Sequence, residues 1–144
     1  MERVRLSFPE KDVMHRHSLT VRITDMNYGR HLGHDALISL LHEARVAALA
    51  SRELREWDLG GYPCVAADLA VQYQAEARWP DLLVVETAIP EPGRKAITVY
   101  HRLLREADGA TVASARINLM LVDPEDGRPV AIPADVRDAL AGAH

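Results

Sequence analysis

The stretch Ala36-Leu37-Ile38-Ser39-Leu40-Leu41-His42-Glu43-Ala44-Arg45-Val46-Ala47-Ala48-Leu49 decides the fold. Leu37, Leu40, Leu41, Ala44, Ala47 and Ala48 recur at helical spacing, while Ile38, Val46 and Leu49 add apolar side chains around the other side. Only Ser39, His42, Glu43 and Arg45 interrupt with polar groups. A helix that is apolar nearly all round has to be buried by more than one surface. Its alanines allow a sheet to approach closely. The spacing predicts a helix from about Gly33 to Leu54, with Asp35 near its start set favourably against the helix dipole. Gly60, Gly61 and Pro63 close the region.

Working outward, the flanks are strand-like. Upstream, residues 1–16 read as a polar lead-in broken by Pro9. Residues 19–25 alternate, with Leu19, Val21 and Ile23 on one face, and predict a strand. Met26 to Gly33, with two glycines, an asparagine and a histidine, predicts a loop. Downstream, Val65, Ala67, Leu69, Val71 and Tyr73 alternate with Ala66, Asp68, Ala70, Gln72 and Gln74. Trp79-Pro80-Asp81 is a turn, and Leu83, Val85 and Ile89 carry the pattern on to Pro90. Ile97–Glu106 and Thr111–Val122 form two more strands around Ala107-Asp108-Gly109-Ala110, a hairpin turn with Asp-Gly at its centre. Ala134–Ala141 predicts a short last helix.

One strand, one long apolar helix and four more strands leave the sheet as the body that wraps the helix. The expected class is α+β, with a long central helix inside a mainly antiparallel five-stranded sheet. This is the arrangement of the hotdog fold, filling residues 1–144 as a single domain. Such a sheet leaves an exposed edge, and pairing across a homodimer or homotetramer is the expected remedy.

Composition narrows the function. Hydrophobic residues make up 48% and charged residues 26% of the 144, which excludes a disordered chain. The net charge of -4 with interspersed signs argues against a nucleic-acid partner. The single cysteine, Cys64, excludes a disulfide framework and reads as a buried, inert thiol in a reducing compartment. Neither a signal peptide nor a run of the ~18 uncharged residues that a membrane helix needs is evident, so the expected location is cytoplasmic, with no membrane partner.

The segment Val21-Arg22-Ile23-Thr24-Asp25-Met26-Asn27-Tyr28-Gly29-Arg30-His31-Leu32-Gly33-His34, followed by Leu41-His42-Glu43-Ala44-Arg45, resembles the 4-hydroxybenzoyl-CoA thioesterase family of hotdog proteins. That family reads Asp-x-Asp, a few residues with glycine, His-Val-Asn-Asn, then a helix ending in Glu-Glu-Ala-Arg. The resemblance implies hydrolysis of an acyl-CoA or acyl-carrier-protein thioester, without a cofactor or metal. It places an oxyanion-binding amide at His34 and a catalytic carboxylate at position 27. Here that position holds Asn27, and an amide is neither a general base nor a carboxylate nucleophile. Either the acid has moved, or Asn27 orients a water or the thioester, or hydrolysis is absent.

The residues themselves offer replacements. Asp35 is the carboxylate nearest the loop in sequence and is also an ordinary helix-start charge. His31 is an acid–base candidate or a packing residue of the loop. Glu43, two helical turns beyond Asp35, is a catalytic candidate or a support that needs a basic partner. Tyr28 is a candidate for the acyl pocket; Asp68, on the face opposite Leu69 and Val71, is a substrate-binding candidate on a face that could meet a partner subunit and, with Asp35 and Glu43, a candidate for the missing carboxylate. Arg94 and Lys95 are candidates for a phosphate of coenzyme A. Asp25-Met26-Asn27 with His31 also echoes the hydratase motif Asp-x-Asn-Pro, with Tyr28 in place of the proline. An (R)-specific enoyl-CoA hydratase and a non-catalytic acyl-CoA-binding module are therefore the alternatives.

Overall fold

The computed structural model describes residues 1–142. Strand β1 (Val13–Thr20) is followed by helix α1 (His34–Ala50), four strands and a second helix. The four strands are β2 (Cys64–Tyr73), β3 (Leu82–Ala88), β4 (Ala96–Arg105) and β5 (Thr111–Leu121), and helix α2 is Ala134–Leu140. All pair antiparallel in one five-stranded sheet of order β1-β3-β4-β5-β2. β1 and β2 are therefore the two free edges.

The first strand lies earlier than the alternation of residues 19–25 implied. Val21 is buried and its amide donates to Asp81 O at 3.0 Å, but Ile23–Asp25 is a 3-10 turn with Ile23 exposed. The buried Asp25 carboxylate makes this turn. It accepts the Arg22 backbone amide at 2.8 Å and the Arg22 guanidinium at 3.0 Å. Burial alone would raise the Asp25 carboxyl, but the bonds from Arg22 outweigh it and hold the group below its usual value.

α1 is shorter than the expected Gly33–Leu54. It stops at Ala50, where Ser51–Leu54 turns off and Glu53 adopts φ 59°. Helix α1 packs over β1, β3 and β4. Its N-terminal half meets Val21, Leu83, Val85, Leu103 and Val112. Around its C-terminal half, Leu49 joins Leu59, Ile97, Leu119, Leu121, Val136 and Leu140. The sheet is thus not the sole cover: the 51–63 loop and α2 close the lower half of the core.

The loop is bound to the helix by charge. Glu56 accepts Arg45 Nη2 at 2.8 Å and Arg45 Nε at 3.1 Å on one oxygen, and meets His42 Nε2 at 2.9 Å on the other. Arg45 is 7% exposed, so this pair stands in the low-dielectric interior where removing one partner strands the other. Nearby, His101 is buried in β4 with Nδ1 2.9 Å from Thr87 Oγ1. Burial, then the positive charge of Arg45, push its imidazole down to about 3.

Two outcomes follow from this packing. Gly60 has φ +62°, and a Cβ there would stand 2.8 Å from Pro133 Cγ, a rigid ring on the lead-in to α2. Gly60→Ala is therefore expected to lose about 2–3 kcal/mol, from left-handed backbone strain plus overpacking, read as a lower unfolding midpoint in urea. His101 generates the second. Above its ordinary value of 6.5 both folded and unfolded histidine are neutral, so it contributes no pH dependence. Below that, the unfolded chain takes up a proton that the folded one refuses. Stability should fall as pH drops from 6.5 towards about 3, by about 1.4 kcal/mol per unit for this one proton. His101→Asn, which keeps a partner for Thr87, should remove one proton's worth of that slope in urea unfolding measured from pH 7 to 4.

Candidate active site

The loop between the 3-10 turn and α1 is built around one side chain. Asn27 Oδ1 accepts the amides of Gly29 at 2.9 Å and His31 at 3.2 Å. The Asn27 amide in turn donates to His31 O at 2.8 Å. This is the local side-chain-to-backbone bonding that favours asparagine in turns. Two backbone donors converge on the oxygen, and Nδ2 makes no hydrogen bond among the described residues.

The loop then delivers the chain to the helix start. Gly33 N donates to Asp25 O at 2.9 Å and Leu32 N to Ala77 O at 2.7 Å. Gly33 is the N-cap of α1 and brings no side-chain cap, so the first-turn amides beginning at His34 keep their hydrogen-bonding capacity. The His34 ring tilts against Tyr73, with centroids 4.6 Å apart, and Tyr73 Oη donates to His34 O at 3.3 Å. Burial and the negative charge of Asp35 push the Tyr73 phenol up, so it stays a donor.

A cleft of about 300 Å³ opens here, lined by Asn27, His31, His34, Leu37, Tyr73 and Glu76 among others. Of the residues singled out in the sequence, Asn27, His31 and His34 line it. Asp35 lies beside it: its Oδ1 would be 2.9 Å from a Cβ on Gly33, folded back over the N-cap. Tyr28 is fully exposed at the loop tip.

Four other positions stand elsewhere in the chain. Glu43 pairs with His17 of β1, Oε2 to Nε2 2.7 Å, which is the basic partner a glutamate on this helix required. Asp68 accepts Asn118 Nδ2 at 2.8 Å across the β2–β5 pairing, on the sheet face away from α1. Arg94 and Lys95 are exposed at the start of β4, a ten-residue strand whose other end meets the cleft. That is a separation of about 30 Å within one chain. The Cys64 thiol is half-buried and donates to Glu56 O at 3.2 Å. Burial, then Glu56, push it up to about 11, so it is a thiol and not a thiolate at neutral pH.

Sequence reasoning missed Glu76. Its Oε2 lies 2.9 Å from His31 Nε2, inside the same cleft. The two are 45 positions apart in the chain, and no local motif joins them. A larger cleft of about 600 Å³ sits at the opposite end, between the N-terminal segment and α2. Its arginines are committed to backbone carbonyls: Arg52 Nη1 to Ala139 O at 2.9 Å, and Arg137 Nη1 to Pro92 O at 2.9 Å. Among the described residues no group of three His, Cys, Asp or Glu is placed to hold a metal. No helix among them is long and apolar enough to cross a membrane.

Comparison with known proteins bears on the family and the fold. Residues 21–140 match the family model of the thioesterase-like superfamily. Among solved structures, Slr0204, a 1,4-dihydroxy-2-naphthoyl-CoA thioesterase from Synechocystis, superposes with TM-score 0.80 at 15% identity. That match covers 88% of this chain and 94% of the other. The DHNA-CoA thioesterase from Staphylococcus aureus gives 0.80 at 15% identity, over 88% of each chain. PA2801 from Pseudomonas aeruginosa gives 0.78 at 25% identity, over 89% of this chain and 98% of its own. No curated protein matches the sequence significantly. The five-stranded antiparallel sheet with its two helices is that of the hotdog-fold thioesterases. The chain belongs to the thioesterase-like superfamily.

Proposed function

We propose that this member of the thioesterase-like superfamily hydrolyses an acyl-CoA or acyl-carrier-protein thioester to a free acid and a thiol, at the cleft where the Asn27–His34 loop meets the start of α1. The observation that carries the reading is the pairing of two kinds of donor at one opening. The first-turn amides of an uncapped helix lie there, and Asn27 Nδ2 is turned away from the loop it stabilises. An oxyanion developing on a thioester carbonyl is stabilised by donors of this kind, helped by the helix dipole.

We further propose that the site is completed by a second copy. β2 is a free edge, with Leu69 and Tyr73 half-exposed on its helix-facing side, and Ile38 of α1 is also partly exposed. Antiparallel pairing of β2 with β2 of a second copy would hide this edge. It would also set the Cys64 end of one β2 beside the Tyr73 end of the other. Arg94 and Lys95 of the second copy then come to the same end of the sheet as the cleft, where a coenzyme A phosphate needs cations. Tyr28, fully exposed in one chain, gains a surface to meet.

The decisive experiment is thiol release over a panel of short, medium, long and aromatic acyl-CoAs, with sedimentation in parallel. Release of coenzyme A from at least one, by a dimer or tetramer, is the expected result. Water addition to an enoyl-CoA without release would mark a hydratase, and tight acyl-CoA binding without either reaction a binding module. A stable monomer at micromolar concentration would overturn the second-copy reading. Asn27→Ala is expected to lower kcat/KM by about 10²-fold, the cost of one donor to the oxyanion. Asn27→Asp keeps the acceptor that Gly29 and His31 need but replaces the outward donor with a carboxylate oxygen, and is also expected to lower the rate; a raised rate would make this position the place of a proton acceptor and not of a donor. Full activity in Asn27→Ala would move the site elsewhere.

A further inference from the structure

We propose that His31 and Glu76 form the acid–base pair of this cleft, His31 taking the proton and Glu76 positioning it; this rests on the thioesterase reading above. Asn27 cannot take a proton at neutral pH. Glu43 and Asp68 are bonded elsewhere, and the Asp35 carboxylate is folded back over the N-cap of α1. The cleft nevertheless holds a histidine with a carboxylate 2.9 Å from its Nε2.

The pair is built by the backbone on both sides. Leu32 N donates to Ala77 O at 2.7 Å, and this one bond sets the preceding residues, His31 and Glu76, opposite each other. Glu76 lies on a segment pinned to β5, since Gln74 N and Ala75 N both donate to Val112 O, at 2.8 and 3.1 Å. The Arg105 guanidinium donates to the Glu76 carbonyl from the third side. His31 is bracketed by Asn27, which accepts its amide on Oδ1 and donates to its carbonyl. Neither residue depends on its own side-chain contact to be where it is.

In this pair the Nε2 beside the Glu76 carboxylate is assigned the hydrogen, and Nδ1 keeps its lone pair. Nδ1 lies on the Gly29 side of the ring, 3.8 Å from where a Cβ on Gly29 would stand. Hydrolysis then balances without a further reactant. A water oxygen bonds the thioester carbonyl carbon, one water proton passes to His31 Nδ1, and the carbonyl electron pair moves onto oxygen facing the helix amides. When the C–S bond breaks, that pair re-forms the carbonyl and the leaving sulfur takes the proton back from the imidazolium. The products are the carboxylic acid and the thiol. Glu76 carries no proton in either step; its charge steadies the imidazolium between them. Its side chain is 65% exposed and that of His31 34%, so solvent screens the pair and the effect is one of orientation more than of strong attraction.

The test is kcat and KM on the best acyl-CoA substrate, together with the ring tautomer of His31 read by nitrogen NMR. In Glu76→Gln, kcat should fall at least about tenfold with KM within about twofold, because proton handling and not binding is lost. Glu76→Asp should restore part of the rate. His31→Gln should lose about 10²–10⁴ in kcat. By NMR, the neutral His31 ring should be the Nε2–H tautomer, and Glu76→Gln should lose that preference. Wild-type kcat in Glu76→Gln would overturn the pair while leaving the thioesterase reading in place. A wild-type chain that releases no thiol from any substrate overturns both. An unchanged His31 tautomer in Glu76→Gln overturns the pair even there.

Discussion

A single helix is too narrow for a five-stranded sheet, and most of the molecule follows from that mismatch. Five strands about 4.8 Å apart span roughly 20 Å, while a helix with its side chains covers about 10 Å. α1 settles over β1, β3 and β4. The β5–β2 side is left to other cover. At the lower end the 51–63 loop and α2 supply it, held by the buried Arg45–Glu56 pair and by the close approach of Gly60 to Pro133. At the upper end nothing among the described residues does. The gap between the start of α1 and the ends of β2 and β5 is the cleft, and its outer boundary is a free strand edge with half-exposed apolar side chains. The proposed site and the proposed association surface are thus two results of one shortage of cover.

The parts of this design that the sequence discloses are those encoded locally. The apolar run of α1, and strands β2 to β5 to within a residue or so, were legible because alternation and turn residues state them directly. β1 was hidden by its own residues. His15 and His17 stand on the same side as Leu19, the side that pairs with the buried faces of Thr87, Val85 and Leu83, so the inward positions do not look apolar. A shift of register in β2 between Ala66 and Asp68 was equally unreadable. It places Val65 on the Asp68 face, not on the Leu69 face that a strict period of two would give it.

The same division runs through the site. Asn27, His31 and His34 could be grouped from the chain alone because one short loop carries them. Glu76 could not, because a backbone bond between Leu32 and Ala77 brings it there. Glu43 and Asp68 looked available only because His17 and Asn118, their partners, are remote in sequence. Arg94 and Lys95 are the opposite case: a plausible cation pair by composition, set by the sheet at the wrong end of its own chain.

Asn27 shows how a site can change its chemistry without changing its shape. The position has two duties: to accept two backbone amides that fold the loop, and to present a second polar atom outward. An aspartate, which the family pattern carries there, does both with oxygens, but the amides it binds favour its charged form and so weaken it as a base. Asparagine keeps the first duty and turns the second atom from an acceptor into a donor. The loop, the helix start and the cleft are preserved, while the proton acceptor is lost from this atom. The side chain whose backbone Asn27 holds on both faces is His31, the one ring in the cleft with a carboxylate behind it. In the proposed mechanism proton transfer then falls to His31, the neighbour that Asn27 orients, and both duties stay tied to the same turn.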